Sequence, residues 1–404
     1  MNSQSQSYRT LDPEALKAYL VSIPALRDRL GKEADQWTIR EVSDGNLNMV
    51  WLVHGPDGSL CAKQSLPHVR VDPSWKMPLD RTTFEAAWLR ETETVTPEMV
   101  PAFLHFDPDM YLLATACLDN HVTLTEALAA GCAITPIVRQ MGAFIARTTF
   151  HNSFRGTSFE NMARLEQFFS GNTTLARITI DLVLTDPYHE HPRNHFHPEL
   201  LPLVHKLHTD PALHRTVSIM QKRFFTTRQA LLHGDLHSGS IMVCDEKASV
   251  IDGEFSIIGP TGFDLGMFAG SLVLAAFGAT SPERRQELLT SLAVLRESFI
   301  ETYCHEWNSW TGKADLSPAF LTKNDSVGLA QEQTEECISI ISDAAGFAAM
   351  EIVRRLTGYA HTSHFAKLSE TEIGKHQYQA LDLAIDLLSD LSSAPEKLFW
   401  TLTP

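Results

Sequence analysis

Basic residues are scarce in this chain: 33 lysines and arginines stand against 49 aspartates and glutamates in 404 residues, for a formal net charge of −16. The global field therefore repels nucleic acid and anionic membrane surfaces, and an anionic ligand such as ATP has to meet positive charge that is local. Cysteine is sparse too. Cys61, Cys117, Cys132, Cys244, Cys304 and Cys337 show no Cys-x-x-Cys spacing. That argues against a disulfide framework or a zinc site and fits a reducing cytoplasm. No apolar run reaches the roughly 20 residues of a membrane span. The longest, Leu265 to Ala279, is interrupted by Gly and Ser and is expected to be a buried helix. Met1 to Tyr8 is polar, lacks the apolar core of a signal peptide, and is expected to fray. There is no Walker sequence, no Gly-x-Gly-x-x-Gly, no internal repeat and no low-complexity segment. At 44% hydrophobic and 20% charged, the composition is that of a globular protein long enough for two cores.

The chemistry-bearing residues concentrate between Leu231 and Gly266. Leu-Leu-His233-Gly234-Asp235-Leu-His237-Ser238-Gly239-Ser240 is followed by apolar Ile241 to Val243, the turn Asp245-Glu246-Lys247, and then Val250-Ile251-Asp252-Gly253-Glu254. Two short apolar runs about a polar turn predict a β-hairpin. Asp235 lies on the loop entering it and Asp252 on the loop leaving it, so two carboxylates distant in sequence can approach in space. A lone Asp beside a strand is ordinarily a turn cap. The joint pattern, with Asp-x-Glu closing the second strand, suits phosphoryl transfer instead. One acid orients or deprotonates an attacking hydroxyl while the other holds the Mg²⁺ that neutralises phosphate charge.

At these residues the chain resembles the phosphotransferases of protein-kinase-like fold that act on aminoglycosides, choline and homoserine, and most closely their methylthioribose kinase branch. The wider family has Asn five residues after the catalytic Asp and a single Asp at the metal. Here Ser240 and the pair Asp252 and Glu254 stand in those places, as in that branch, and Gly262-Phe263-Asp264-Leu265-Gly266 follows. One departure is Asp-Gly-Glu where the branch usually reads Asp-Pro-Glu; it loosens the backbone and keeps both acids. The resemblance implies Asp235 as catalytic base and Asp252 and Glu254 as Mg²⁺ ligands.

The rest of the chain reads in the same sense. Asp12-Pro13 opens a helix with Leu16, Tyr19 and Leu20 apolar, which Pro24 ends or kinks. From Trp37 the texture is strand, with the turn Asp44-Gly45-Asn46-Leu47-Asn48 and a third strand ending at Lys63. Asp80 is expected to cap a helix carrying Phe84, Glu85 and Trp88. A hairpin from Pro101 to Thr115 ends the small lobe. By resemblance, Asn46 and Lys63 hold the ATP phosphates, Glu85 fixes Lys63, and Thr115-Ala116-Cys117 is the adenine hinge, which works through backbone groups. That triplet departs from the branch's usual acidic Met-Glu-Asp-Leu.

Beyond residue 121 the pattern is helical: Leu124 to Ala130, Thr135 to Phe150, and 284–308, 328–360 and 367–393. Residues 152–200 read as irregular. Their His189, His191, His195 and His197, broken by Pro192 and Pro198, are expected to form a surface loop rather than a metal site, with a lid over the substrate as a further role. Arg354 and Arg355 would ordinarily snorkel to water. The resemblance places them against the sugar and the migrating phosphoryl group.

The expected fold is α+β and two-lobed: a mostly antiparallel nucleotide-binding lobe over 1–116 and a mainly helical lobe over 117–404 carrying the catalytic loop, metal site and substrate pocket. The implied activity is that of an ATP-dependent, Mg²⁺-requiring kinase of 5-methylthio-D-ribose in methionine salvage. It is expected in the cytoplasm without nucleic-acid or membrane partners and, by resemblance, as a homodimer. A kinase of another deoxy-pentose, choline, homoserine or an aminoglycoside stays open, as does an inactive nucleotide-binding homologue, because fold alone does not separate them.

Overall fold

The computed structural model of the chain describes residues 8–42, 47–70, 72–312, 314–316 and 326–401. It divides into two compact units, 1–121 with 249–256 and 122–248 with 257–404.

In the first unit, the Asp12 side chain accepts the Ala15 N–H at 2.8 Å and Pro13 takes the first turn, so α1 (Pro13–Ser22) begins at that pair. Pro24 opens a separate α2 (Pro24–Leu30). An antiparallel sheet follows, made of β1 (Thr38–Val42), β2 (Asn48–His54), β3 (Ser59–Ser65), β4 (Phe103–Asp107) and β5 (Leu112–Ala116) in the order β1-β2-β3-β5-β4. Alternate residues Trp51, Val53, Leu60, Ala62, Leu112 and Ala114 form a buried face against Leu16, Leu20, Leu26 and Leu30 of α1 and α2. This period-two alternation puts every large side chain of one face into the core, each worth about 1.5–3 kcal/mol when fully buried. Tyr8, expected to fray, donates its hydroxyl to the Ser65 carbonyl at 2.8 Å, while Met1 to Ser7 lie outside the described residues.

Helix α3 (Arg81–Glu93) crosses beside the sheet. Asp80 makes no side-chain capping bond, contrary to the sequence expectation. The helix start is held instead by Arg81, fully buried, which donates to the carbonyls of Leu47 at 2.5 Å and Leu66 at 3.2 Å.

The second unit opens with β6 (Val122–Thr123) and α4 (Leu124–Ala130). Thr123 and Glu126 form a reciprocal capping box, and Gly131, at φ 84°, closes the helix in the left-handed region. After α5 (Thr135–His151) the chain departs from expectation, because 152–200 is not irregular throughout. Ser158 caps α6 (Phe159–Phe169), which buries Met162, Leu165 and Phe169, and α7 (Thr173–Leu182) buries Leu175, Thr179 and Leu182. These are three- and four-residue spacings, hidden in the sequence by the polar residues between them.

Then come α8 (Leu201–Thr209), α9 (Pro211–Thr226), β7 (Ala230–Leu232), β8 (Ile241–Cys244), β9 (Lys247–Val250) and β10 (Ile257–Gly259). β8 and β9 are the hairpin expected from the motif; β8 also pairs with β6, and β9 leads into the 249–256 segment of the first unit.

The last helices are α10 (Gly262–Phe277), α11 (Pro282–Ser309), α12 (Ser326–Thr357) and α13 (Glu370–Ser389). α10 is apolar all round and buried along nearly its whole length, as its composition demands. Gly262, Gly266 and Gly270 recur every four residues on the face toward α12. A Cβ at these positions would lie 2.5, 2.5 and 2.7 Å from the carbonyls of Ile340, Ala344 and Ala348. The stripe lets the two backbones approach closely, which seats the far end of α12 beside the loop after β7. Among the described residues no helix is long and apolar enough to cross a membrane.

Candidate active site

Three acidic residues of the first unit gather around Lys63. Its ammonium, on β3, lies 2.7 Å from Glu85 of α3 and is paired with Asp252. Burial would pull its pKa down, but Asp252, Glu85 and Glu254 outweigh it and hold the amine charged well above its ordinary range. Burial pushes the Glu85 carboxyl up to about 7 against the pull of Lys63. Asp252 occupies the left-handed region at φ 71°, so the chain turns sharply as it leaves β9 and both Asp252 and Glu254 reach the same place. Oxygens of Glu85, Asp252 and Glu254 lie within 4.8 Å of one another. An all-carboxylate donor set of this kind fits a hard cation such as Mg²⁺, and the Asp252 side chain, 49% exposed, leaves that position open to phosphate oxygens and water.

Glu254 is 3% exposed and needs compensation. Asn48 donates to its Oε2 at 3.0 Å, Arg81 lies 3.4 Å from the same oxygen, and Arg81 also donates to Asn48 Oδ1 at 3.0 Å. The closed triangle holds Glu254 in a single orientation. Gly253 between the two acids packs against the Trp88 ring of α3, where a Cβ would collide with the indole. The Asp-Gly-Glu departure thus has a physical reason: Trp88 fills the space that a bulkier central residue would need.

In the second unit the loop 233–240 is pinned from below. Asp264, in the first turn of α10, accepts the N–H groups of His233 at 2.7 Å and Gly234 at 3.0 Å, and Ser271 accepts the N–H of Ser238 at 3.0 Å. Ser240 donates to the Asp235 carbonyl at 3.1 Å and accepts the His237 N–H at 3.0 Å, closing the loop on itself.

Asp235 therefore projects from a rigid support. Arg354 of α12 donates to its Oδ1 at 2.6 Å, and His237 Nε2 lies 3.5 Å from Oδ2. Burial raises the Asp235 pKa, but Arg354, His237 and Arg355 prevail and hold it well below the usual carboxylate range.

Arg354 and Arg355 do not snorkel. Both fasten to Glu351, one turn back on α12 and fully buried; Arg355 Nε donates to it at 2.9 Å, and Arg354 bonds it through Nε as well as Nη2. A polar cavity of about 190 Å³ adjoins this group, lined by Thr125, His237, Ser238, Glu351, Arg355 and His361 among others.

The structure thus brings Lys63, Glu85, Asp252 and Glu254 together in one unit, and Asp235, Arg354 and Arg355 in the other. Thr115 and Ala116 end β5, where Thr115 faces Cys61 of β3, and Cys117 follows with its thiol on Asp119. Asn46 lies outside the described residues. The four loop histidines join no metal-capable cluster among the described residues; His191 lies 3.6 Å from Asp186 and His197 3.3 Å from Glu370.

Sequence reasoning missed Glu351, Arg81, Asn48 and His237 as supports. Only Glu351 carries a signal, since Glu351-x-x-Arg354-Arg355 is an i,i+3 and i,i+4 ion-pair spacing on a helix.

The profile of the phosphotransferase enzyme family matches residues 38–308. Methylthioribose kinase 2 of Oryza sativa subsp. japonica is 33% identical over 381 residues, spanning 91% of this chain and 88% of that protein. A methylthioribose kinase of Escherichia coli is 33% identical over 399 residues, spanning 96% of this chain and 95% of that protein. Among solved structures, an ethanolamine kinase of Plasmodium vivax is similar at a TM-score of 0.49 and 12% identity, over 95% of this chain and 92% of that one.

Proposed function

On the premise that the chain belongs to the phosphotransferase enzyme family, we propose that it transfers the γ-phosphoryl group of ATP to the anomeric hydroxyl of 5-methylthio-D-ribose, giving 5-methylthioribose 1-phosphate. The observation that carries this reading is the 33% identity to methylthioribose kinases over more than nine-tenths of the chain, well beyond the end of the family profile at 308. The site supports it. Asp235 is ionised and aimed by Arg354, so it orients the acceptor hydroxyl and takes its proton as the bond to phosphorus forms. A depressed pKa is adequate because the anomeric hydroxyl is more acidic than a plain alcohol and the loose transition state asks for little proton removal before bond formation.

Lys63, held charged by Asp252 and Glu85, steadies the ATP phosphates, a role that family resemblance also gives Asn46, and Thr115, Ala116 and Cys117 meet the adenine through backbone groups. Asp252 and Glu254 would hold Mg²⁺, which when bound neutralises charge on the phosphate oxygens. Arg354 and Arg355 add local positive charge on the acceptor side of a chain at −16, and the small cavity beside them receives the sugar. The setting is the cytoplasm, the pathway methionine salvage, and the assembly a homodimer.

The test is turnover with ATP and Mg²⁺ across a panel of methylthioribose, other pentoses, choline, homoserine and an aminoglycoside, with the phosphorylated position read by phosphorus NMR. Methylthioribose phosphorylated at C1 with the highest kcat/KM supports the assignment. Preferential turnover of any other acceptor, or phosphate on another carbon, overturns it.

A further inference from the structure

A second cluster of ligating side chains lies in the first unit, built by strand register. β2 ends at His54, which pairs directly with Ser59 at the start of β3. The β3–β5 register sets Leu60 opposite Ala116, so Cys117 leaves β5 next to Ser59. The chain then turns at Asn120, φ 61°, and the Asp119 carboxylate comes to rest among the three. His54 Nε2 is 2.8 Å and Cys117 Sγ 3.2 Å from Asp119 Oδ1, while Ser59 donates to Oδ2 at 2.8 Å.

We infer that His54, Cys117 and Asp119 form a binding site for a borderline transition-metal ion of the zinc type. One ligand atom from each lies within 4.8 Å of the others, against the edge of about 3.3–3.8 Å that a tetrahedral zinc shell requires with these atoms. The His54–Asp119 and Cys117–Asp119 pairs, at 2.8 and 3.2 Å, need only open by a few tenths of an ångström to admit the ion, which small side-chain rotations supply. Imidazole nitrogen, thiolate and one carboxylate oxygen make a mixed set that suits zinc and cobalt and contrasts with the all-oxygen cluster at Asp252. Ser59 holds the second carboxylate oxygen, which fixes the orientation of Asp119 as an outer-sphere partner does.

Two donors already converge on a single carboxylate oxygen. A divalent ion seated between them replaces the thiol proton, which passes to the buffer as the metal–thiolate bond forms, and the fourth position is left to water. The ion ties the end of β2 to the exit of β5. No Cys-x-x-Cys spacing announces this site, because its donors come from separate strands.

Cobalt is the probe, titrated into the full-length chain stripped of metal and with excess Mg²⁺ present to occupy the carboxylate cluster. The expected result is a thiolate-to-cobalt charge-transfer band that saturates at one equivalent, is displaced by zinc, and is unchanged in Cys304→Ser, which removes one of the two neighbouring thiols elsewhere in the chain. His54→Ala and Asp119→Asn, both at well-exposed positions, should weaken binding about 10–100-fold and shrink the zinc-induced rise in Tm expected of the parent. Cys117→Ser should remove the band. An undiminished band in His54→Ala and Asp119→Asn, loss of the band in Cys304→Ser, or no band at all in the parent overturns the assignment.

Discussion

Replacing Glu351 with glutamine would test how the site keeps two arginines beside the Asp235 carboxylate. The carboxylate is fully buried and takes bonds from Arg354 and from Arg355, the latter at 2.9 Å, while Arg354 also reaches Asp235 at 2.6 Å. Glutamine keeps the volume and one acceptor oxygen but removes the charge, leaving Asp235 as the counter-charge nearest to Arg354. Removing one partner of a buried pair outright costs about 3–5 kcal/mol. With one acceptor retained, the expected loss is about 2–3 kcal/mol of stability, visible as a Tm lowered by several degrees.

The functional loss should be selective. Arg355 loses its anchor and Arg354 swings wholly onto Asp235, so kcat/KM for the acceptor sugar should fall about 10–100-fold, some 1.4–2.8 kcal/mol of transition-state binding. ATP affinity should stay within about twofold, because Lys63, Glu85 and Asp252 are untouched. The assay is sugar dependence at saturating ATP, ATP binding without sugar, and a melt of the same sample. Glu351→Asp, which keeps the charge on a shorter arm, should fall between. A lowered Tm with unchanged kcat/KM for the sugar would make Glu351 a packing residue only, and an equal loss for sugar and ATP would sink the acceptor-side role of the arginines.

Asp235→Asn should leave ATP binding nearly intact and reduce kcat by about two to four orders of magnitude; single-turnover kinetics with wild-type rates would refute the base assignment. Asp252→Ala and Glu254→Ala should each raise the Mg²⁺ concentration for half-maximal activity, and a titration matching the parent would exclude that residue as a ligand. Gly253→Ala should cost about 1–3 kcal/mol of stability in urea melts by driving its methyl into Trp88, and the double variant with Trp88→Leu should lose less than the sum of the two single losses; no loss in the single variant would contradict the close packing. His364 titrates at about 4 because burial, then Arg355 and His237, disfavour its charged form. The unfolded chain takes that proton near 6.5 and the folded chain does not, so stability falls as pH drops from about 6.5 to 4, by roughly 2 kcal/mol at pH 5. Urea melts of His364→Gln should show a shallower decline between pH 7 and 5, and an identical slope would remove His364 from the pH response.

How far each feature was legible depends on the range of the force behind it. The hairpin at β8 and β9, the opening helix after Asp12 and the all-apolar α10 follow from periodicity and turn chemistry that act within a few residues, and they stand where the sequence puts them. The same local rules misread 152–200, where the apolar stripes of α6 and α7 are thin and the surrounding Asn, Thr and Gln mask them. Asp235, Asp252 and Glu254 stood out as candidates because their spacing around one hairpin is itself a local pattern.

What only the tertiary structure decided is the ionised state of Asp235 and the identity of the residues that hold all three acids. Arg354 meets Asp235 across 119 residues and Asn48 meets Glu254 across 206, and no propensity or period links positions so far apart. Arg81 reads in sequence as an ordinary basic residue in a helix's first turn, and only its complete burial, with its charge spent on backbone carbonyls and Glu254, shows what it holds. The sequence alone singled out Asp235, Asp252 and Glu254 as the candidate acids for the chemistry. Burial and the long-range placement of opposite charge decided that Asp235 is ionised and where the three acids point, because desolvation and Coulomb attraction depend on neighbours that chain order does not specify.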